Sequence, residues 1–311
     1  MKKIFAIFVC VLALSVNVFS QEIELRMVSI DTTPISDVTK VKNIEMLENE
    51  VTLALYISVM GEQPEKASNN LAGDMLGSFG IKSKNKKKTY YQELGVHDNH
   101  PVVAISFYDA IYFCNKLSKI YGLTPVYAVD GQNDETQWDY NIHSGEFIKG
   151  KITQSIQANG YRLPTEIEWL FAAKGNQDYF YPGSDNIDEV AWYSKNSKRK
   201  TNEIAQKKAN GFGLYDMLGN VEEWTFRTRL NKSIISENEQ AEQRIGKKNA
   251  DGSVVTYAYI QDPLSTSVPG RNFKSVALVC KDMWYATNSN TSRCNEQSEE
   301  RGFRIVRTIT E

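Results

Sequence analysis

The chain has 311 residues, 41% of them hydrophobic and 24% charged, with a formal net charge of −2. This is the composition of an ordinary soluble globular protein, long enough to bury a sizeable core. The near-neutral balance excludes an electrostatic case for nucleic acid. No segment beyond the first twenty residues is apolar for long enough to cross a bilayer as a helix.

Residues 1–20 have the build of a cleaved secretory signal. Lys2 and Lys3 form a basic start, Ile4 to Val16 an apolar stretch, and Ser20 supplies the small residue before a new N-terminus at Gln21. The apolar stretch is too short to span a membrane. Cys10 lies inside it rather than after it, where a lipid anchor would need it. The expectation is an exported protein: periplasmic, cell-surface or secreted. Cys114, Cys280 and Cys294 then remain. An exported compartment permits disulfides, and three cysteines leave at least one unpaired within a monomer.

Glu22 to Ile30 alternates apolar and polar residues and reads as a first strand. Val51 to Met60 reads as a short helix with Leu53, Leu55, Tyr56 and Val59 on one stripe, stopped by Gly61. Residues 62–99 form an irregular insertion carrying Lys82, Lys84, Lys86, Lys87 and Lys88. With nothing aromatic interleaved, the basic run reads as a solvated loop. His97 and His100 lack further ligands that would complete a metal site, which favours a structural role. Val102 to Ile105 reads as a strand, and Ser106 caps a helix running to Tyr121. Phe107, Ala110, Ile111, Cys114, Leu117 and Ile120 recur on one face of that helix, which makes Cys114 a core residue. Pro125 to Asp130, Gln137 to Ile142 and Glu146 to Ile152 read as short strands, with Asp130-Gly131 as a turn. Thr165 and Glu168 form a capping box for a helix that ends at Gly175, with Trp169, Leu170 and Ala173 toward the core. Residues 227–274 are a second insertion without readable chemistry. No repeat or composition shift marks a second domain, so residues 21–311 are expected to form one α+β domain.

The run Asn210 to Trp224, NGFGLYDMLGNVEEW, sets two carboxylates, Asp216 and Glu223, around a glycine-containing turn. Asn220 favours turn or left-handed geometry. Two carboxylates with inward-pointing carbonyls make a hard oxygen site suited to Ca²⁺; a tight turn with its acids in solvent is the alternative.

This run closely resembles the G-L-x-D/N-M-x-G-N-V-x-E-W signature of the formylglycine-generating enzyme family, the sulfatase-modifying factors. HPVVAISFYDAIYFCNKLS (100–118), GYRLPTEIEWLFAAKG (160–175) and GFRIVR (302–307) match three further family stretches in the same order, and VTLALYISVMG (51–61) matches its opening more weakly. The resemblance implies the family's version of the C-type-lectin-like fold. It also implies a Ca²⁺ site with Asp216 and Glu223 as side-chain ligands and Gly219 and Val221 as carbonyl ligands.

The active enzymes of this family oxidise a sulfatase cysteine to formylglycine with O₂, and the resemblance implies two cysteines five positions apart that bind Cu(I). Soft thiolates suit that ion. Here Cys280 stands near one expected place, but Ser275 and Tyr285 occupy the positions five before and five after it. Cys294 is fourteen residues away and can instead form a disulfide with Cys280. The arginines expected after the active segment are replaced at Tyr285-Ala286-Thr287-Asn288-Ser289. The scaffold matches while the active centre does not. The expectation is a non-catalytic, calcium-stabilised binding or structural module that takes a protein or glycan ligand. Its polar loop Asp282 to Glu300 offers a ligand surface. A divergent copper oxidase using Cys280 is the alternative.

Overall fold

The computed structural model describes residues 24–64, 91, 94–193, 195–198, 200–226, 277–280, 291–292, 294–295 and 297–309. The signal segment 1–20, most of the first insertion with its lysine run, the second insertion 227–274 and most of the loop 282–300 lie outside them, as does the side chain of Cys280. The expected single-domain extent of 21–311 therefore reaches beyond the described residues at both ends.

Local signals fix most elements. Strand β1 covers Met27–Asp31 and β2 covers Asn43–Leu47, with a single helical turn, α1, at Ser36–Thr39 between them. Helix α2, Leu53–Met60, starts where the Thr52 hydroxyl accepts the Leu55 amide, and ends at Gly61 with φ +89°. Helix α3, Phe107–Ile120, opens on a full capping box. The Ser106 hydroxyl accepts the Asp109 amide while the Asp109 carboxylate accepts the Ser106 amide, so two orphan donors of the first turn are satisfied. Its apolar face is buried as the periodicity predicts, except that Ile120 at the last turn is exposed. Helix α4, Glu166–Lys174, repeats the device with Thr165 and Glu168 and closes at Gly175 in the left-handed region.

Three expected strands do not form as read; of the run 146–152 only Ile152 joins a ladder, opening a strand that continues to Gln154. Residues 102–105 are fully buried but the chain turns at Ala104, whose φ is +55°. Its amide is spent on the Ser298 carbonyl rather than on a ladder. Within 137–142 a 3-10 turn at Glu135–Gln137 intervenes, because the Asp134 side chain accepts the Thr136 amide. The turn at Asp130-Gly131 forms as expected. Both residues have positive φ, and Val129 and Gln132 exchange backbone hydrogen bonds across it. It leads from β3, Tyr127–Val129, which pairs antiparallel with β4, Ile152–Gln154.

Among the described residues two four-stranded sheets form. The first is antiparallel, in the order β1-β2-β10-β5, with β5 at Tyr161–Arg162 and β10 at Val306–Thr308. The second is parallel, in the order β8-β7-β6-β9: Thr291–Ser292, Ala277–Cys280, Glu222–Thr225 and Arg301–Gly302. A further short helix, α5, spans Ile187–Val190. This is a mixed architecture of few helices and many loops, as expected. Among the described residues no helix is long and apolar enough to cross a membrane.

The core falls into two main clusters. One surrounds α2 and α3, where Tyr56 stacks on Phe113 at 5.5 Å and Phe303 meets Phe113 edge-on at 5.2 Å. The other joins the first sheet to α4 through Ile44, Met46, Val306 and Trp169. The run 210–224 bridges them. Leu214 and Met217 enter the second cluster, while Val221 and Trp224 enter the first.

Candidate functional site

The bridging run is held by its own polar side chains. Asn210 donates from Nδ2 to the carbonyls of Ala172 and Ala173, satisfying the end of α4. Its Oδ1 accepts the amides of Phe212 and Leu214. Asp216, Gly219 and Asn220 then adopt positive φ of 53°, 89° and 57°. Gly219 is required there twice over. Its conformation is left-handed, and an added Cβ would stand 2.1 Å from the Trp192 carbonyl oxygen. Asn220 completes the corner. Its amide donates to that same Trp192 carbonyl, and its side chain exchanges hydrogen bonds with the backbone of Asn202.

The corner places Asp216 and Glu223 in the interior rather than in solvent; both are buried. Their partners differ. Glu223 accepts from Trp169 Nε1 at 2.8 Å and, on both oxygens, from Arg304 at 2.7 and 2.8 Å. Arg304 also donates to the Tyr215 carbonyl. Glu223 is thus half of a fully buried bidentate ion pair, the strongest form of that interaction. Asp216 accepts the Ala205 amide at 2.7 Å on Oδ2, but its Oδ1 is buried without a partner. Burial pushes the Asp216 carboxyl up to about 6.

A third acid lies against these two. Glu50 precedes α2 and is completely buried, with neither carboxylate oxygen hydrogen-bonded. The backbone on either side fixes its place. Tyr215 donates its amide to the Glu48 carbonyl, and Val51 donates to the Phe303 carbonyl. Burial and then the neighbouring Asp216 charge raise its carboxyl well above the ordinary glutamate range. Arg304 Nη1, on the guanidinium that faces this group, is also buried without a partner.

Among the donors implied for calcium, Asp216 fits a hard cation, since Oδ1 is desolvated and free of hydrogen bonds. The Glu223 charge is already matched by Arg304. The Gly219 and Val221 backbone stands at the same corner. Among the described residues no three acidic, histidine or cysteine side chains converge as a metal cluster. His97 and His100 make an intramolecular contact instead, with the His97 amide donating to His100 Nδ1 at 3.2 Å. Glu50 and Arg304 were not singled out by the sequence. The one local sign was an acid set directly against the apolar run that opens at Val51.

The cysteines are equally distinct. Cys114 is free, fully buried on α3, and burial raises its thiol far above the ordinary range. Cys294 is disulfide-bonded. Its amide-to-carbonyl surroundings tie it to α3, since Phe107 donates to the Cys294 carbonyl. Cys280 closes β7, where its backbone pairs with Ser292.

Sequence comparison agrees with this architecture. Residues 16–309 match the family described as Sulfatase-modifying factor enzyme 1-like domain, and the chain belongs to that family. It is 38% identical over 147 residues to the chaperone protein LppX of Paenibacillus barcinonensis, covering 41% of this chain and 51% of that protein. It is 38% identical over 80 residues to the formylglycine-generating enzyme of Mycobacterium tuberculosis, covering 21% of this chain and 27% of the enzyme. The chain thus spans about half or less of these curated relatives. Among solved structures, Treponema denticola variable protein 1 is similar with a TM-score of 0.55 and 25% identity, covering 93% of this chain and 97% of that one.

Proposed function

We propose that this protein is an exported, non-catalytic member of its family: a C-type-lectin-like binding or structural module stabilised by calcium. The observation that carries the reading is the state of the cysteines. Copper-dependent formylglycine formation needs paired soft thiolates held close together. Cys294 is spent in a disulfide and Cys114 is enclosed in the core of α3. Cys280 is the one other cysteine of residues 21–311, so a bridge from Cys294 within the mature chain takes its thiol as well. Retention of the corner at Asp216, Gly219 and Val221 supports the calcium component. The name of the Paenibacillus relative, a chaperone protein, favours a protein over a glycan as the ligand.

The test uses a Cys-x-Pro-x-Arg peptide incubated with the protein, copper and O₂, followed by mass spectrometry. No formylglycine is expected. Peptide oxidation that disappears in Cys280→Ser restores the oxidase reading. Recovery of mature protein beginning at Met1 rather than Gln21 removes the export component.

A further inference from the structure

The first sheet has one long open edge. Strand β1 ends the order β1-β2-β10-β5 and pairs with β2 through five consecutive residues without a bulge. The alternation of that ladder shows which groups face outward. The Arg26 carbonyl accepts the Glu48 amide, and the Thr32 amide donates to the Lys42 carbonyl. The even-numbered residues therefore turn their amides and carbonyls to β2, while Met27, Ser29 and Asp31 turn theirs away. Among the described residues no strand pairs with that side of β1, and Ser29 and Asp31 are exposed. The other end strands, β5, β8 and β9, have two residues each, too few to template a ladder. Strand β1 also lacks the devices that close an edge. No proline, lysine or bulge interrupts it, and its one charge, Asp31, stands at its end.

We propose that β1 pairs antiparallel with β1 of a second copy of this chain, about a two-fold axis at Ser29, so that two four-stranded sheets join edge to edge. Self-pairing about a two-fold is the simplest closed assembly. The register follows from the outward groups. Hydrogen-bonded pairs across the joint must link odd-numbered residues, and the axis at Ser29 alone sets all five residues of one strand against all five of the other. Ser29 then faces its own copy, Met27 faces Asp31, and Val28 faces Ile30. Ile30 is buried in the second core cluster and Val28 packs against it, so the facing Val28–Ile30 pairs continue that apolar face across the joint. No like charges are opposed. The two Asp31 carboxylates fall at opposite ends, four residues or roughly 14 Å apart at the rise of a strand. That exceeds the screening length at physiological salt. One sequence thus supplies the strand, the register and the apolar complement.

The chain from Gln21 is followed by sedimentation velocity over a roughly hundred-fold range of concentration, since self-association obeys mass action. Its mass should rise from monomer to dimer. Ser29→Lys sets two ammonium groups directly opposite each other and should hold the protein as a monomer throughout. Because Ser29 is exposed, the variant should keep the parent's circular dichroism and its thermal midpoint at the lowest concentration. Ser29→Cys should form a disulfide-linked dimer on treatment with diamide, because hydrogen-bonded antiparallel partners stand about 5.5 Å apart at Cα, within disulfide reach. Asp31→Cys should not, since its own copy lies far outside that reach. A parent that sediments as a monomer at every concentration overturns the proposal. So does a dimer that Ser29→Lys leaves intact, or one that links through Asp31→Cys rather than Ser29→Cys.

Discussion

At the scale of single residues, the domain rests on buried charges that are paired with care. Arg162 and Glu168 form a second fully buried bidentate pair, at 2.7 Å on each arm. Removing one partner of such a pair leaves the other desolvated and uncompensated, which typically costs about 3–5 kcal/mol. Arg162→Met should therefore lower the unfolding free energy by about that amount in a denaturant titration. A loss within the noise of the titration contradicts the pairing. Asp109 is a different case. Burial acts to raise its carboxyl, but hydrogen bonding to His143, followed by that to Ser106, outweighs it and holds the group below the ordinary aspartate range. A carboxyl depressed in the folded state contributes stability that is present above its unfolded value and lost as pH falls through the folded one. Stability should thus fall in acid below about pH 4, the ordinary aspartate range. Asp109→Asn should flatten that limb of the profile while costing stability at neutral pH. An unchanged acid limb in the variant rules out this group as its source.

At the scale of elements, what was legible was local. The Ser106 cap, the Thr165–Glu168 capping box, the glycine stops of α2 and α4, and the Asp130-Gly131 turn follow from residues within four positions of one another, and all were expected from the sequence; the reciprocal Asp109 bond to Ser106 was not. The strand expected at 102–105 was not found, because its apolar run records burial and not hydrogen bonding. Each of those residues is fully buried, yet Ala104 breaks the extended path. The candidate site divides the same way. The left-handed corner was readable from Gly219 and Asn220. The partner of Glu223 was not, since Arg304 lies 81 positions away. Glu50 likewise acquires its meaning only when β2 and the signature run are brought together. The corner makes its own prediction. Gly219→Ala places a Cβ 2.1 Å from a backbone oxygen that Asn220 also uses, in a conformation alanine avoids. The substitution should cost well over the roughly 1 kcal/mol of an ordinary left-handed penalty, read as a lowered thermal midpoint. By contrast Gly213, with open space around its Cβ position, should tolerate alanine with only the conformational penalty. Equal losses at the two positions contradict the close approach to Trp192.

At the scale of the whole molecule, the two sheets share one dependence. Strand β10 lies between β2 and β5 in the first sheet, and β9 forms the edge of the second against β6. Residues 301–308 therefore complete both, and Phe303 and Arg304 between them fill the larger core and the acid cluster. A chain stopped after Glu300 should show no cooperative thermal transition, whereas loss of only 310–311 should leave the transition in place. The family resemblance could be read from motifs scattered between 51 and 307, but their interlock could not, because pairing across such distances leaves no periodic trace in the sequence. The interlock also sets a timetable. The slot between β2 and β5 stays open until residues 306–308 are made. Until then the earlier segments can form helices and turns but not a shut domain. The facing edges of β2 and β5 meanwhile present unpaired backbone groups on which a strand of another chain could seat, so an unfinished chain is exposed to association until β10 arrives.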